Sequence, residues 1–168
     1  RQIEKGLKDF RVKVDDRDDL TPGFKFNDWE LKGVPLRIEI GPKDVEKGTL
    51  ALARRDILGK AGKSFIPMDG YVQAVGDMLN AIQANLLVKA TKFRDEHIFE
   101  VEDYETFKDV VENKGWALGW WYDDAENEAK VKEDTRATLR VFAPSEGEGT
   151  CFFSGKKTNK KAYFAKAY

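Results

Sequence analysis

Residues 21–56 read TPGFKFNDWELKGVPLRIEIGPKDVEKGTLALARRD, and the fold turns on how this stretch divides. Thr21 followed by Pro22 is a helix start, because a hydroxyl can accept from the first unpaired N–H groups and proline is pre-set for the first helical position. Lys32-Gly33 closes that helix. Residues 35–40, PLRIEI, put Leu36, Ile38 and Ile40 on one face and Arg37 and Glu39 on the other, the period-two pattern of a strand with one polar side. GPKDVEKG then reads as a Gly-bounded turn and TLALARRD as the next strand. Strands covered by helices on both faces are continuously apolar, so the alternation predicts a sheet with one face open to solvent or ligand.

On the N-terminal side, Ile3, Leu7 and Phe10 recur at helical spacing, and RVKVDDR alternates Val12 and Val14 with charges, so a helix feeds a short strand. On the other side GKAGKS, residues 59–64, ends like a phosphate-binding loop. That loop needs glycine where Ile57 stands and a helix where Pro67 stands, so the segment reads as a basic loop. From Asp69, read as an N-cap, to about His97, the residues Val72, Val75, Leu79, Ile82 and Leu86 mark a helix roughly 40 Å long. It is expected to cross from one domain into the next, its apolar stripe packed in core. YETFKDVVENKG reads as a helix with a glycine stop, GWALGWWY as a buried strand, DDAENEAKVKEDT as a polar helix begun by acids, ATLRVFA as a strand, and CFFSGKKTNKKAYFAKAY as a hairpin. The expected organisation is an α/β domain over 1–66, a connecting helix over 67–98 and a small α+β domain over 99–168.

The 168 residues, 41% hydrophobic and 12% aromatic, suffice for one domain with a substantial core or two small ones. No run of about 18 apolar residues is present, so no membrane span is expected. The chain starts RQIEKG, without a methionine or signal peptide, and is read as a soluble piece of something longer. Cys151 is the lone cysteine and His97 the lone histidine, which excludes an internal disulfide framework and an ordinary four-ligand zinc site. An intracellular, cytoplasmic setting fits. Residues 1–66 carry 15 basic and 12 acidic groups, residues 67–148 carry 9 and 18, and residues 149–168 carry 5 and none, for net charges of +3, −9 and +5. A polyanion would feel the local field of one face rather than the net charge of −1.

On a helix beginning near Pro22, Phe26 and Glu30 are four apart and share a face, whereas Trp29 lies round toward Lys25, Lys32 and Gly33. Carboxylates repel phosphate, so acids mixed with Arg, Lys and Phe are better explained as acceptors for base edges. Guanine, with two kinds of N–H donor beside an O6 acceptor, suits that mixture best. Specific RNA readers stack splayed bases on aromatic rings and hydrogen-bond their edges in this way. The ordinary alternative is that Glu30, Arg37, Lys43 and Asp44 are salt-bridged surface residues and Phe26 is core.

The motif W-E-L-K-G-V-P-x-R-x-E-x-G-P-x-D over residues 29–44, with VKEDTRATLRVFA, CFFSGKK and the terminal AYFAKAY, resembles the prolyl-tRNA synthetases of the archaeal and eukaryotic type. The resemblance implies an anticodon-binding domain with a mixed five-stranded sheet, its first strand missing here, followed by the family's C-terminal domain. It implies that Phe26, Glu30, Arg37 and Asp44 stand at positions used for anticodon bases, with Lys43 adjacent and Lys60 contributing, or Lys63 if the loop length differs by one. Proline anticodons share GG at their second and third positions. The implied partners are proline tRNA, the catalytic domain of the same chain and, in the full-length homodimer, a second copy; ATP and magnesium belong to the full-length ligase. No catalytic residue is expected in this chain.

Many family members hold zinc with four cysteines, the last two in C-x-x-C-G-K. Here that run is Cys151-Phe152-Phe153-Ser154-Gly155-Lys156, and Val141 stands at another ligand position, so no zinc is expected. Packing of Trp116, Trp120, Trp121, Phe152 and Phe153 is expected to replace it. The C-terminal Tyr168 carboxylate is expected to have a structural role. The alternative function is a protein-interaction or accessory module using the same fold; a free-standing enzyme is weaker, because His97 beside Glu96 reads as a surface histidine.

Overall fold

The 21–56 stretch folds as helix, strand, helix and strand in the computed structural model, which describes residues 1–166. The chain forms two units, Arg1–Lys89 and Ala90–Tyr168. A helix-and-sheet unit followed by an α+β unit is the class read from the sequence.

In the first unit, α1 (Gln2–Gly6) is followed by a segment without regular secondary structure and then by α2 (Pro22–Leu31). Thr21 caps α2, its side chain accepting from the Phe24 N–H at 3.4 Å, with Pro22 at the first helical position. β1 (Leu36–Glu39), β2 (Thr49–Arg54) and β3 (Lys63–Pro67) form a sheet in that order, antiparallel throughout. Leu50 and Leu52 are fully buried on one face of β2. Ile38 lies opposite Leu52 and Ile66 opposite Leu50, so that face is the apolar one. On the other face Arg37, Ala53 and Lys63 stand in one cross-strand row and Glu39, Ala51 and Phe65 in the next.

Three expectations change here. The mixed five-stranded sheet implied by the resemblance is, in the first unit, three antiparallel strands among the described residues, and residues 12–14 form no regular element and have no ladder partner. Alternation assigns faces to a segment, but a strand exists only as one of a pair. GPKDVEKG is a helix, α3 (Pro42–Lys47), rather than a turn. Pro42 opens it, Asp44 accepts from the Gly41 N–H at 2.8 Å, and Gly48 closes it at φ 62, a left-handed conformation that suits glycine. The long helix, α4 (Tyr71–Glu96), starts after Gly70 and not from an Asp69 cap. GKAGKS is a single 3-10 turn, Gly59–Gly62, running into β3, so the helix that a phosphate-binding loop requires does not follow.

In the second unit, β4 (Ile98–Val101), α5 (Tyr104–Asn113) and β5 (Trp116–Trp120) make a β-α-β crossover with β4 parallel to β5. Then come α6 (Ala125–Thr135), β6 (Ala137–Ala143), β7 (Gly149–Thr150), β8 (Lys157–Thr158) and β9 (Lys161–Lys166). The mixed sheet runs β4-β5-β9-β6, with a bulge between Leu139 and Val141. The expected C-terminal hairpin is limited to the short β7–β8 pair, because β9 inserts between β5 and β6. Asp103 and Asp124 cap α5 and α6 as acceptors at positive helix ends. Phe107, Trp121, Phe152 and Phe164 fill the core with Val110 and Val131. Gly119 is required by crowding: a Cβ there would come within 2.7 Å of the Phe152 ring and 2.8 Å of Val101. Tyr168 lies outside the described residues.

Candidate nucleic-acid interface

Three sequence-predicted residues meet at Arg37. Its guanidinium carbon sits 3.9 Å from the centroid of the Phe26 ring. Its Nη1 donates to Glu30 Oε1 at 2.7 Å and its Nε to Glu39 Oε1 at 3.0 Å. The other Glu39 oxygen accepts from Lys63 Nζ at 2.6 Å. Helical spacing puts Phe26 and Glu30 on one face of α2, and the alternation of β1 aims Arg37 and Glu39 at them. The Glu39–Lys63 bond spans from β1 to β3, over β2, because the β2 residues between them on this face are the small Ala51 and Ala53.

The arrangement sets its own chemistry. Burial pushes the Glu39 carboxyl up, but hydrogen bonds from Lys63 and then Arg37 outweigh it and hold the group below its ordinary value. Glu39 is therefore a fixed anion that orients two cations. Arg37 is 22% exposed at its side chain and Glu30 42%. Of the five guanidinium N–H donors, two are used by Glu30 and Glu39 among the described residues. The remaining donors can meet O6 and N7 of a guanine, and the free Glu30 oxygen can accept from an N–H of the same base. With its guanidinium carbon over the Phe26 ring, Arg37 is restrained, and a restrained planar cation loses little freedom on meeting a ligand.

Asp44 is half-buried and spends one oxygen on the Gly41 N–H, leaving the other available; Lys43 beside it is exposed. Lys60 is exposed in the 3-10 turn and has no ion-pair partner among the described residues. Neither Lys43, Asp44 nor Lys60 is bonded to the Arg37 cluster, whereas Lys63, the alternative to Lys60, joins it through Glu39. Sequence reading placed Glu39 on the polar face but gave it no role.

A second cluster fixes α2. Trp29 Nε1 donates to Asp15 Oδ2 at 2.7 Å, Arg17 donates to both Asp15 and Asp28, and Lys32 lies 4.6 Å over the Trp29 ring. Lys32 first, and then Arg17, lowers the Asp28 carboxyl; the Arg17 hydrogen bond holds Asp15 far below the ordinary range. These contacts tie the unpaired segment after α1 to the helix carrying Phe26 and Glu30.

Among the described residues no group of three His, Cys, Asp or Glu side chains could hold a metal ion. At the zinc position implied by the resemblance, Cys151 is buried, its sulfur accepts from the Ser154 N–H at 3.4 Å, and Phe152 fills the core. One thiol with aromatic neighbours does not fit zinc. Burial pushes the Cys151 thiol up, yet hydrogen bonds from the Ser154 segment leave it lowered. Of the aromatics expected to substitute, Trp121, Phe152 and Phe153 pack together with Phe107 and Phe164. Trp116 instead meets Tyr163, and Trp120 lies under Lys161. His97 Nδ1 is 2.6 Å from the Phe93 carbonyl oxygen and its ring stacks on Phe93.

Residues 2–74 match the family described as "Anticodon binding domain" and residues 104–168 the one described as "Prolyl-tRNA synthetase, C-terminal". The first unit is thus an anticodon-binding domain of the aminoacyl-tRNA synthetase kind. A proline–tRNA ligase of Roseiflexus castenholzii is 49% identical over 166 residues, which take in 98% of this chain and 34% of that protein. The chloroplastic/mitochondrial proline–tRNA ligase of Arabidopsis thaliana is 47% identical over 163 residues, 94% of this chain and 30% of that protein. The structure of prolyl-tRNA synthetase from Cryptosporidium parvum, complexed with L-proline and AMP, superposes with a TM-score of 0.88 at 32% identity over 99% of this chain and 36% of that one. The chain belongs to the prolyl-tRNA synthetase family and spans about a third of the length of these relatives.

Proposed function

We propose that the Arg37 face reads the two guanines shared by proline anticodons. One observation carries this: a guanidinium stacked on Phe26, pinned by Glu30 and Glu39, with donors still unspent beside a half-exposed carboxylate. The cluster of two cations and two acids is close to neutral, so it favours a base edge over a phosphate. Phe26, Glu30 and Arg37 form the centre; Lys43, Asp44 and Lys60 complete the contact to the loop. The functional division is residues 1–66 for anticodon reading, 67–98 as a connecting helix, and 99–168 as the C-terminal domain.

The rest of the reading concerns the longer protein. Its catalytic part forms prolyl-adenylate from proline and ATP, with magnesium, and transfers the prolyl group to the tRNA. The partners are proline tRNA, the catalytic domain of the same chain and a second copy in a homodimer, in the cytoplasm. The relatives' names support this over a protein-interaction module.

The test is a low-salt titration of the chain with a proline anticodon stem-loop and with one whose two guanines are adenines. The wild type should prefer GG, and Arg37→Ala and Asp44→Asn should lose the preference; the Asn variant keeps an acceptor for the Gly41 cap. Equal binding of both loops by the wild type would overturn the reading.

A further inference from the structure

Phe65 is an aromatic side chain left 65% exposed on β3, on the same face of the sheet as Arg37 and Glu39. The register puts it in one row with Glu39, across the small Ala51. Lys63, two residues before it, lies 5.8 Å over its ring while bonded to Glu39. The polar face is therefore bounded by two rings: Phe26 beneath Arg37 on one side and Phe65 beside Lys63 on the other, with Glu39 linking the cations. Two alanines form the floor between them. Nothing in the apolar core uses Phe65, because Leu50, Leu52 and Ile66 point to the opposite face.

We propose that Phe65 is a second base-stacking platform, taking an unpaired RNA base next to the two guanines. This rests on the Arg37 face reading those guanines. Two strands apart, Phe65 stands roughly 10 Å from the β1 residues. A base stacked at Phe65 is thus splayed from the one at Arg37 rather than stacked on it. Phe65 has no acceptor or donor of its own, so it grips any base by its face, and Lys63 beside the ring can turn toward that nucleotide's phosphate. Stacking of this kind is tolerant of sequence. It supplies affinity at a neighbour of GG, while the Arg37 cluster supplies discrimination.

The experiment titrates the whole chain and its Phe65→Leu and Phe65→Trp variants with four stem-loops: GG, AA, and GG with an abasic nucleotide at either neighbour of the guanine pair. Leucine keeps the apolar bulk and removes the flat ring. Phe65→Leu should weaken GG binding by roughly 5- to 100-fold, the range for losing one stacked base, with the ratio of GG to AA binding unchanged. Phe65→Trp should restore it. The loss should vanish against one of the two abasic loops. Wild-type affinity in Phe65→Leu with the GG preference intact overturns the platform and leaves the guanine reading standing. A leucine defect that persists equally on both abasic loops also overturns it. No GG preference in the wild type overturns both.

Discussion

The Arg37 guanidinium carbon lies over Phe26, 3.9 Å from the ring centroid, and that contact separates arginine from any other cation at this position. A lysine ammonium could still reach Glu30 or Glu39, but it is not planar and offers no fork of donors to a base. Arg37→Lys should therefore fold normally and keep most of its weak affinity for RNA while losing about 1–3 kcal/mol of preference for GG over AA loops. Paired titrations of the two loops check it. A lysine variant with the full preference would mean that the positive charge alone does the reading.

Glu39 separates the effects of charge and geometry. Glu39→Gln removes the anion and one of the two acceptor oxygens, of which Arg37 and Lys63 each use one, so the hold on both cations loosens. Affinity for any single-stranded RNA should rise and its salt dependence steepen, because one more cation is free for phosphate. The ratio of GG to AA binding should fall, because Arg37 is held less firmly. The measurement is binding constant against salt for both loops; a variant that gains affinity and discrimination together contradicts this account.

The residues that sequence reading found are those fixed by local periodicity. Phe26 and Glu30 share a face because they are four apart on a helix, and Arg37 faces them because its strand alternates. Lys32 over Trp29 is likewise a near neighbour in sequence. The Glu39–Lys63 bond and the Phe65 row depend on pairing between strands 24 or more residues apart, through the β2 register, which no spacing encodes. Short elements failed for a related reason. Six residues between two glycines look like a turn until Asp44 caps Gly41, and Ile98–Val101 is four residues squeezed between a helix end and the Asp103 cap.

Acid should loosen the first unit through Asp56. Its carboxyl is fully buried, takes two hydrogen bonds from Arg54 and one from Asn85 on α4, and is lowered from 3.8 to about 2, chiefly by Arg54. The unfolded chain therefore binds the proton first as pH falls. The stabilisation is complete above the unfolded value of 3.8 and disappears as pH drops through the folded value of about 2. Asp56→Asn should cost about 3 kcal/mol at neutral pH by leaving Arg54 unpaired, and the gap to wild type should narrow toward pH 2. Urea unfolding followed by circular dichroism at several pH values tests this; a constant gap would assign the cost to packing.

The second unit should stand on aromatic packing and not on metal. Phe152 lies in the C-x-x-C-G-K segment where the resemblance implies zinc ligands, and its ring lies 4.6 Å from Phe107, 5.5 Å from Trp121 and 5.6 Å from Phe164. Only one thiol is nearby, and it is already engaged with the Ser154 N–H. Chelator should leave the thermal midpoint of the chain unchanged and release no stoichiometric zinc. Phe152→Ala opens a cavity against three rings and should destabilise the unit by about 3–5 kcal/mol. Cys151→Ala removes a small buried side chain and should cost far less than that. A chelator-sensitive midpoint, or a Cys151→Ala loss as large as that of Phe152→Ala, would mean that the thiol has a metal partner, and that the rings are not what holds this unit together.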